Sequence, residues 1–171
     1  MNQRLKKLVL SALMMAFTCV ATLAIRIPTP GGFGYIHPGD ALVILSGVIL
    51  GPGYGFLAAG IGSALADLFG GYMVYVPITF VIKGLVALIA GILYRSIKGN
   101  KKSHYLAVAL AGLFDILLVT GGYYICEIPL YGSIAAAASV PANIVQGVGG
   151  LVISLLLYPV LFSIPDIKSM K

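Results

Sequence analysis

The chain has 171 residues, of which 60 % are hydrophobic and 9 % are charged, and its 11 basic and five acidic residues give a formal net charge of +6. Soluble domains carry about 25 % charged residues, so this composition excludes a soluble protein and predicts one integral membrane domain over residues 1–171. Each membrane-spanning helix uses ~20 residues, which leaves no room for a soluble catalytic domain. The sequence also has no HExxH, GxSxG or Walker motif, so we expect no enzyme activity, no cofactor and no metal site.

Six apolar segments predict an all-α bundle of six transmembrane helices. They cover residues 5–25, 39–50, 54–69, 76–94, 105–125 and 140–162. The second and third segments could form one long helix, but Gly51-Pro52-Gly53 lies between them. Proline flanked by glycines favours a turn and removes a backbone donor, so we separate the two helices there.

The basic residues predict the orientation of this bundle. With six spans, the two ends and the central loop share one side of the membrane, and Arg26 alone lies in the opposite loops. The basic residues of the shared side are Arg4, Lys6, Lys7, Arg95, Lys98, Lys101, Lys102, Lys168 and Lys171. The positive-inside rule then places both termini in the cytoplasm, whereas five spans would contradict it. Anionic lipid headgroups account for the positive charge, and no nucleic-acid partner is needed.

The connection before the second segment is rich in proline and glycine. It covers residues 26–38, and the helix that follows is short for a complete span. Non-helical backbone at membrane depth persists only where it lines a cavity or is covered by protein. We therefore predict an outer loop that dips toward the bundle and acts as a lid, with Phe33, Tyr35 and His37 as gating residues. The alternative for His37 is an ordinary loop residue.

Lys83 interrupts the apolar run of residues 76–94, and a cation at that depth costs several kcal/mol unless it faces a polar cavity or a counter-charge. Other polar residues fall in the same outer half, and Asn143 and Gln146 share a helix face because they are three positions apart. The predicted substrate-binding residues are Lys83, Asn143, Gln146, Asp67, Tyr72, Tyr75, Tyr123 and Glu127, with Tyr124 and Tyr131 nearby. This distribution predicts an outward-opening pocket for a small, flat, polar molecule.

Several of these residues have simpler explanations. Lys83 and Asp67 could neutralise each other as a structural pair. Asp115, near mid-membrane, could serve only in helix packing, and Asp40 is explained more simply as a helix cap. The tyrosines at span ends could belong to an interfacial aromatic belt.

Small residues recur every four positions on two helices. Ala12 and Ala16 form such a pair on the first helix, and a longer stripe on the third contains Ala58, Gly62, Ala66 and Gly70. These stripes allow close helix packing, either inside the bundle or against another membrane protein.

Several motifs together resemble those of a known family. They are Ala12-xxx-Ala16, His37-Pro-Gly-Asp-Ala-Leu, Leu50-Gly-Pro-Gly-Tyr-Gly, Ala64-Leu-Ala-Asp-Leu-Phe-Gly-Gly-Tyr72 and Pro77-Ile-Thr-Phe-Val-Ile-Lys-Gly84. In order and spacing over nearly the whole chain, they resemble the substrate-binding S components of energy-coupling factor (ECF) transporters. The resemblance implies a multi-pass protein of the prokaryotic plasma membrane that captures a water-soluble vitamin.

The resemblance also implies partners and a substrate class. Such proteins dock on a transmembrane coupling subunit with two ATP-binding-cassette ATPases, and Ala12 and Ala16 would correspond to the docking motif. The outer halves of spans four to six would form the pocket and the first loop would gate it. The motifs look most like the branch assigned to pyridoxine or hydroxymethylpyrimidine, with riboflavin next.

Two other functions remain open from the residues alone. A stand-alone proton-coupled transporter would use Asp67, Lys83 and Asp115 as a relay, although the two halves show no inverted repeat. A non-transporting assembly subunit would bind no vitamin, yet the polar groups gathered on one side argue against it.

Overall fold

The computed structural model describes residues 2–28 and 35–168, apart from the side chains of Pro28 and Tyr35. This part of the chain forms a helical bundle with one small strand pair. The helices are α1 (Gln3–Ala24), α2 (Gly39–Leu50), α3 (Pro52–Gly70), α4 (Tyr75–Ser96), α5 (Lys101–Tyr131), α6 (Ser133–Leu161) and the short α7 (Pro165–Lys168). Strands β1 (Ile27–Pro28) and β2 (Tyr35–Ile36) pair antiparallel between α1 and α2, with Ile27 opposite Ile36.

Helix α2 forms the centre of the bundle. It contacts α1, α3, α4, α5 and α6, and every one of its residues except Leu42 is buried. A helix that is apolar on all sides is stable only when other helices surround it, which explains why this short segment is not amphipathic. The central position of α2 also places its first turn, which carries Asp40, inside the protein.

The predicted break between α2 and α3 is present. Helix α2 ends at Leu50, Gly51 adopts φ +84°, and Pro52 occupies the first turn of α3. A side chain is strained at that φ, and proline at the start of a helix sacrifices no intrahelical hydrogen bond. A methyl group at Gly51 would also collide with the guanidinium of Arg95. The turn therefore requires glycine for both reasons.

The boundary between α5 and α6 differs from the prediction. Residues 126–139 were expected to form an external loop, but α5 continues to Tyr131 and α6 begins at Ser133, so that only Gly132 (φ +85°) separates them. Alanines 135–138 are strong helix formers, and Pro141, expected in the first turn of the sixth helix, lies farther inside α6. Asn143 consequently lies about three turns into α6, and not in its first turn.

The outer surface of the bundle suits lipid. Four described helices, α1, α4, α5 and α6, are long and apolar enough to cross a bilayer. Large apolar side chains project from them, including Leu117, which is 68 % exposed, and Leu156, which is 67 % exposed. Water would disfavour so many exposed apolar groups, whereas hydrocarbon would not.

An ion pair joins the two ends of the described chain. The Nζ atom of Lys6, in α1, lies 2.8 Å from Oδ1 of Asp166, in α7. The Lys6 ammonium lowers the pKa of the exposed Asp166 carboxyl, first through a hydrogen bond and then through its charge. Both ends therefore lie at the same end of the bundle, which an even number of crossings requires.

Candidate functional site

A fully buried ion pair marks the centre of the candidate site. Nζ of Lys83, in the third turn of α4, donates to Oδ1 of Asp40, in the first turn of α2, at 2.5 Å. The Lys83 side chain is 1 % exposed and the Asp40 side chain 0 %. Charges removed from water in this way are tolerated only when they are paired and hydrogen-bonded, so the position of each residue depends on the other.

Gln146 of α6 satisfies the second carboxylate oxygen of Asp40. Its Nε2 atom donates to Oδ2 of Asp40 at 2.9 Å, and both side chains are buried. One turn farther along α6, a Cβ atom at Gly150 would come within 2.7 Å of the Asp40 Cβ. The glycine lets α6 approach α2 closely enough for Gln146 to reach the carboxylate. Three helices thus converge on Asp40.

This arrangement corrects two interpretations of the sequence. Asp40 makes no side-chain capping hydrogen bond, and Pro38 occupies the N-cap of α2. The counter-charge of Lys83 is Asp40 and not Asp67. Asp67 is buried in the last turn of α3. A signal for Asp40 was present, since it is the one acidic residue of an otherwise apolar α2, and a buried lysine on another helix requires such a partner.

A second polar network lies on α4, α5 and α6 around Glu127. The Tyr75 hydroxyl donates to Glu127 Oε1 at 3.0 Å, and the Ser139 hydroxyl donates to Glu127 Oε2 at 2.5 Å. Asn143 Nδ2 in turn donates weakly to Ser139 Oγ, at 3.5 Å. The predicted residues Tyr75, Glu127 and Asn143 are therefore brought together, through a serine that the sequence analysis overlooked. Ser139 lies one helical turn before Asn143, and that spacing is the signal that would have identified it.

Aromatic residues connect the two networks. The Tyr123 ring centroid lies 5.7 Å from Lys83 Nζ, and the Tyr123 hydroxyl shares a 2.8 Å hydrogen bond with Thr79 Oγ1. The Tyr75 ring lies 6.1 Å from that of Tyr123 and 6.4 Å from that of Tyr72. Tyr131 stacks on Tyr75 at 6.4 Å. Four of the predicted tyrosines thus form one aromatic wall beside the lysine, namely Tyr72, Tyr75, Tyr123 and Tyr131.

Asp115 of α5 is the second carboxylate near the ion pair. It is 0 % exposed, and neither of its carboxylate oxygens has a hydrogen-bond partner among the described residues. It interacts electrostatically with Asp40 and with Lys83. A buried carboxylate without donors is costly when ionised, and the packing role and the site role of Asp115 both stay predictions.

The remaining predicted residues lie at the edges of the site or outside the described chain. Phe33 falls in residues 29–34, outside the description, and for Tyr35 the backbone alone is described, in β2. His37 follows β2 and accepts a 3.1 Å hydrogen bond from Gly39 N through Nδ1. Burial lowers the pKa of His37 to about 4, against a smaller opposing effect of Asp40. His37 is thus a neutral acceptor at the start of α2.

The small-residue stripe of α3 faces the inside of the bundle, whereas the pair on α1 faces outward. A methyl group at Gly62 of α3 would come within 2.6 Å of the Met15 carbonyl oxygen of α1, so the α3 stripe is used for packing inside the bundle. Ala12 and Ala16 of α1 are exposed instead. The internal-packing interpretation therefore holds for α3 and is wrong for the α1 pair.

The described residues contain no group of three or more His, Cys, Asp or Glu side chains arranged to hold a metal ion. Asp40, Lys83 and Glu127 are paired with each other or with an amide and hydroxyls. Its chemistry is that of hydrogen bonding and aromatic stacking, which suits reversible binding of a polar ring.

Comparison with known proteins shows the family. The family described as "ECF-type riboflavin transporter, S component" matches residues 2–162. An uncharacterized protein of Pyrococcus woesei is 37 % identical over 134 residues, which cover 78 % of this chain and 86 % of that protein. The thiamine precursor transporter HmpT of Lactococcus lactis subsp. cremoris (strain MG1363) is 30 % identical over 162 residues, which cover 94 % of this chain and 90 % of HmpT.

Solved structures show the same fold. The S component of a bacterial ECF transporter superposes with a TM-score of 0.69 at 23 % identity, covering 94 % of this chain and 97 % of that one. The S component for biotin from an ECF-type ABC transporter gives a TM-score of 0.52 at 23 % identity, covering 92 % and 93 % of the two chains. The resemblance found in the sequence motifs is confirmed, and the chain belongs to the S components of ECF-type transporters.

Proposed function

We propose that this chain captures a thiamine precursor of the hydroxymethylpyrimidine class and delivers it to an ATP-driven coupling module. The observation that carries the proposal is the buried cluster of Asp40, Lys83 and Gln146 beside the tyrosine wall. Two buried charges and an amide in one bundle are costly unless a function retains them.

The free polar atoms of the cluster suit an aminopyrimidine. Gln146 uses its amide nitrogen for Asp40, and no described contact uses its carbonyl oxygen. Asn143 makes one long hydrogen bond, which leaves most of its amide available. A carboxamide pairs well with an amino group beside a ring nitrogen, because donor and acceptor then match on both partners. The rings of Tyr72, Tyr75 and Tyr123 would stack on the pyrimidine.

One relative favours a thiamine precursor, whereas the matching family model is described by riboflavin. The relative that covers 94 % of this chain is a thiamine precursor transporter, and the sequence motifs look most like the branch assigned to pyridoxine or hydroxymethylpyrimidine. Riboflavin is the second candidate, because the matching family is described by that vitamin. Pyridoxine, a single ring with hydroxymethyl groups, would use the same donors and acceptors.

The outer loop would close over the bound ligand. The β1–β2 pair holds the base of this loop, and His37 joins it to the first turn of α2, beside Asp40. Phe33 and Tyr35 would supply aromatic contacts from above, as the sequence predicts.

The orientation that fits this role has six spans and both termini in the cytoplasm of a prokaryotic cell. The Lys6–Asp166 ion pair supports it by joining the two ends, and the concentration of lysines at that end agrees with the positive-inside rule. The end of the bundle that carries Asp40 and Glu127 would then face the outside.

Docking on the coupling subunit and its two ATPases would use α1. Ala12 and Ala16 are exposed, and small residues on a membrane-facing helix permit close contact with another helix. The side chains needed for the internal packing of α1 lie on its other face, where Met14 and Thr18 are buried.

Titration of the purified protein with hydroxymethylpyrimidine, pyridoxine and riboflavin tests the proposal. We expect hydroxymethylpyrimidine to bind most tightly, and Asn143→Leu to weaken it at least about tenfold, the effect of one to two hydrogen bonds. Ile144→Leu, at the neighbouring exposed position, serves as the control and should leave the affinity unchanged. If none of the three compounds binds to the folded protein, or if Asn143→Leu binds as well as wild type, the proposal is wrong.

A further inference from the structure

A second cavity lies at the other end of the bundle from the Asp40–Lys83 pair. Its volume is ≈ 350 Å³, and it is bounded by the last turns of α2 and α4, the turn before α5, and the ends of α6 and α7. Asp40 begins α2 whereas Val48 and Ile49, near its end, line this cavity. The two sites are therefore separated by most of the length of the central helix.

Two cations line the cavity without a carboxylate partner. Arg95 and Lys98 belong to its wall, and among the described residues neither forms an ion pair. Arg95 uses one of its donors for the Leu50 carbonyl oxygen, at 3.4 Å. A guanidinium has five N–H donors, so most of them remain available for an anion.

The rest of the wall is largely apolar. Val48, Ile49, Ile97 and Phe162 face the same space as the two cations. A small soluble anion would interact with the two cations but would gain little from the apolar part of the wall. A lipid would satisfy both parts, because its phosphate carries the negative charge and its glycerol and acyl carbons are apolar. Basic pockets between helix ends at the cytoplasmic surface bind anionic headgroups for this reason.

We propose that this cavity binds an anionic phospholipid, with the phosphate held between Arg95 and Lys98 and the first acyl carbons against Ile49 and Phe162. The lipid would contact the ends of α2, α4 and α6 together. Bound lipid should therefore stabilise the bundle as well as occupy the cavity. The lipid proposal does not depend on which vitamin binds near Asp40 and Lys83.

The test measures binding of phosphatidylglycerol to the full-length protein in nanodiscs and detergent. Native mass spectrometry counts retained lipids, and thermal unfolding compares phosphatidylglycerol with phosphatidylcholine. The variants are Arg95→Gln/Lys98→Gln, which removes both cavity cations, and Lys101→Gln/Lys102→Gln, a control that removes the same charge from exposed positions nearby. Ile97→Trp fills the cavity without a change of charge.

We expect wild type and the control to retain phosphatidylglycerol and to gain thermal stability from it. The cavity double variant should bind at least about tenfold more weakly than the control, because long-range attraction to the headgroup is equal in the two. Ile97→Trp should also lose the lipid. Unaltered far-UV circular dichroism in each variant shows that the loss is not a failure to fold.

Other results would overturn the proposal. Equal losses in both double variants would show a diffuse surface charge effect, as would retained binding in Ile97→Trp. Inorganic phosphate that binds in the absence of lipid, and that phosphatidylglycerol fails to displace, would identify a soluble anion as the ligand. If the cavity double variant keeps the lipid but no longer assembles with its coupling subunit, the occupant is a protein segment.

Discussion

Lys83 and Asp40, 43 positions apart, meet in an ion pair that is buried from all sides and completed by Gln146. Because the pair ties α4 to α2 and the Gln146 amide ties α6 to α2, the same contacts hold the bundle together and shape the candidate site. Substitutions here will change stability and binding together, and an experiment must separate the two.

A double-mutant cycle measures the contribution of the ion pair to stability. Lys83→Met leaves the Asp40 carboxylate buried without its counter-charge, which should cost about 3–5 kcal/mol of unfolding free energy. Asp40→Asn in the same chain should recover much of that loss, because the residual pair is neutral. Thermal unfolding in detergent checks both. A cycle in which the two losses simply add would show that the residues do not depend on each other.

Two neighbouring glycines of α6 test the close contact between α6 and α2, because Gly150 faces α2 and Gly149 does not. Gly150→Ala would place a methyl group 2.7 Å from the Asp40 Cβ and should cost about 1–3 kcal/mol through overpacking. Gly149→Ala meets no atom within 4 Å and should be neutral or slightly stabilising, since alanine favours helix more than glycine does. Unfolding of the two variants should therefore differ clearly, and equal stability would contradict the close approach.

The network around Glu127 predicts a loss of stability when one of its donors is removed. Tyr75→Phe removes a buried donor to a carboxylate and should destabilise by about 1.5–3 kcal/mol. Tyr124→Phe, in the adjacent part of α5, serves as the control. Chemical denaturation followed by tyrosine fluorescence measures both, and no difference between them would remove the proposed role of the Tyr75 hydroxyl.

His37 predicts a pH dependence of stability. Its pKa is lowered from 6.5 to about 4 in the folded chain, so between these values the unfolded chain binds a proton that the folded chain does not. Stability should fall as pH decreases from about 6.5 to about 4, and this contribution should not change further below that. His37→Asn keeps an acceptor for Gly39 N but does not titrate. Melting temperatures of the variant that follow the wild-type pH profile would contradict this prediction.

The exposed alanines of α1 predict a separation of binding from transport. Ala12→Trp adds bulk outside the bundle, so the isolated chain should bind its ligand with unchanged affinity while uptake by cells with the complete transporter is abolished. Val152→Trp, at a 49 % exposed position on α6, is the control and should transport normally. Normal uptake by the Ala12→Trp variant would exclude this face from docking.

Long apolar runs made the positions of α1 to α4 predictable, because burial in lipid or protein dictates their composition. The α5–α6 boundary was not predictable in the same way. Pro129 was expected in the loop after the fifth segment and Pro141 in the first turn of the sixth, yet both lie well inside helices. Local pattern also failed to distinguish the inward stripe at Gly62 from the outward pair Ala12 and Ala16, since both follow the same four-residue spacing.

The sequence predicted several single residues of the candidate site but not the contacts between them. Lys83 could be predicted as a site residue because it is the one charged residue in an apolar run. Its partner Asp40 becomes evident only when α2 is placed at the centre of the bundle. The same holds for Ser139, an ordinary helical serine in sequence that joins Asn143 to Glu127 in the fold.

Mass spectrometry of the small molecules that co-purify with the protein from its native membrane tests the central claim most directly. The account predicts a hydroxymethylpyrimidine-type compound near one per chain in wild type, and a strong reduction in Asn143→Leu. Recovery of folded protein without any vitamin or vitamin precursor, together with no binding of added hydroxymethylpyrimidine, riboflavin or pyridoxine, would contradict it.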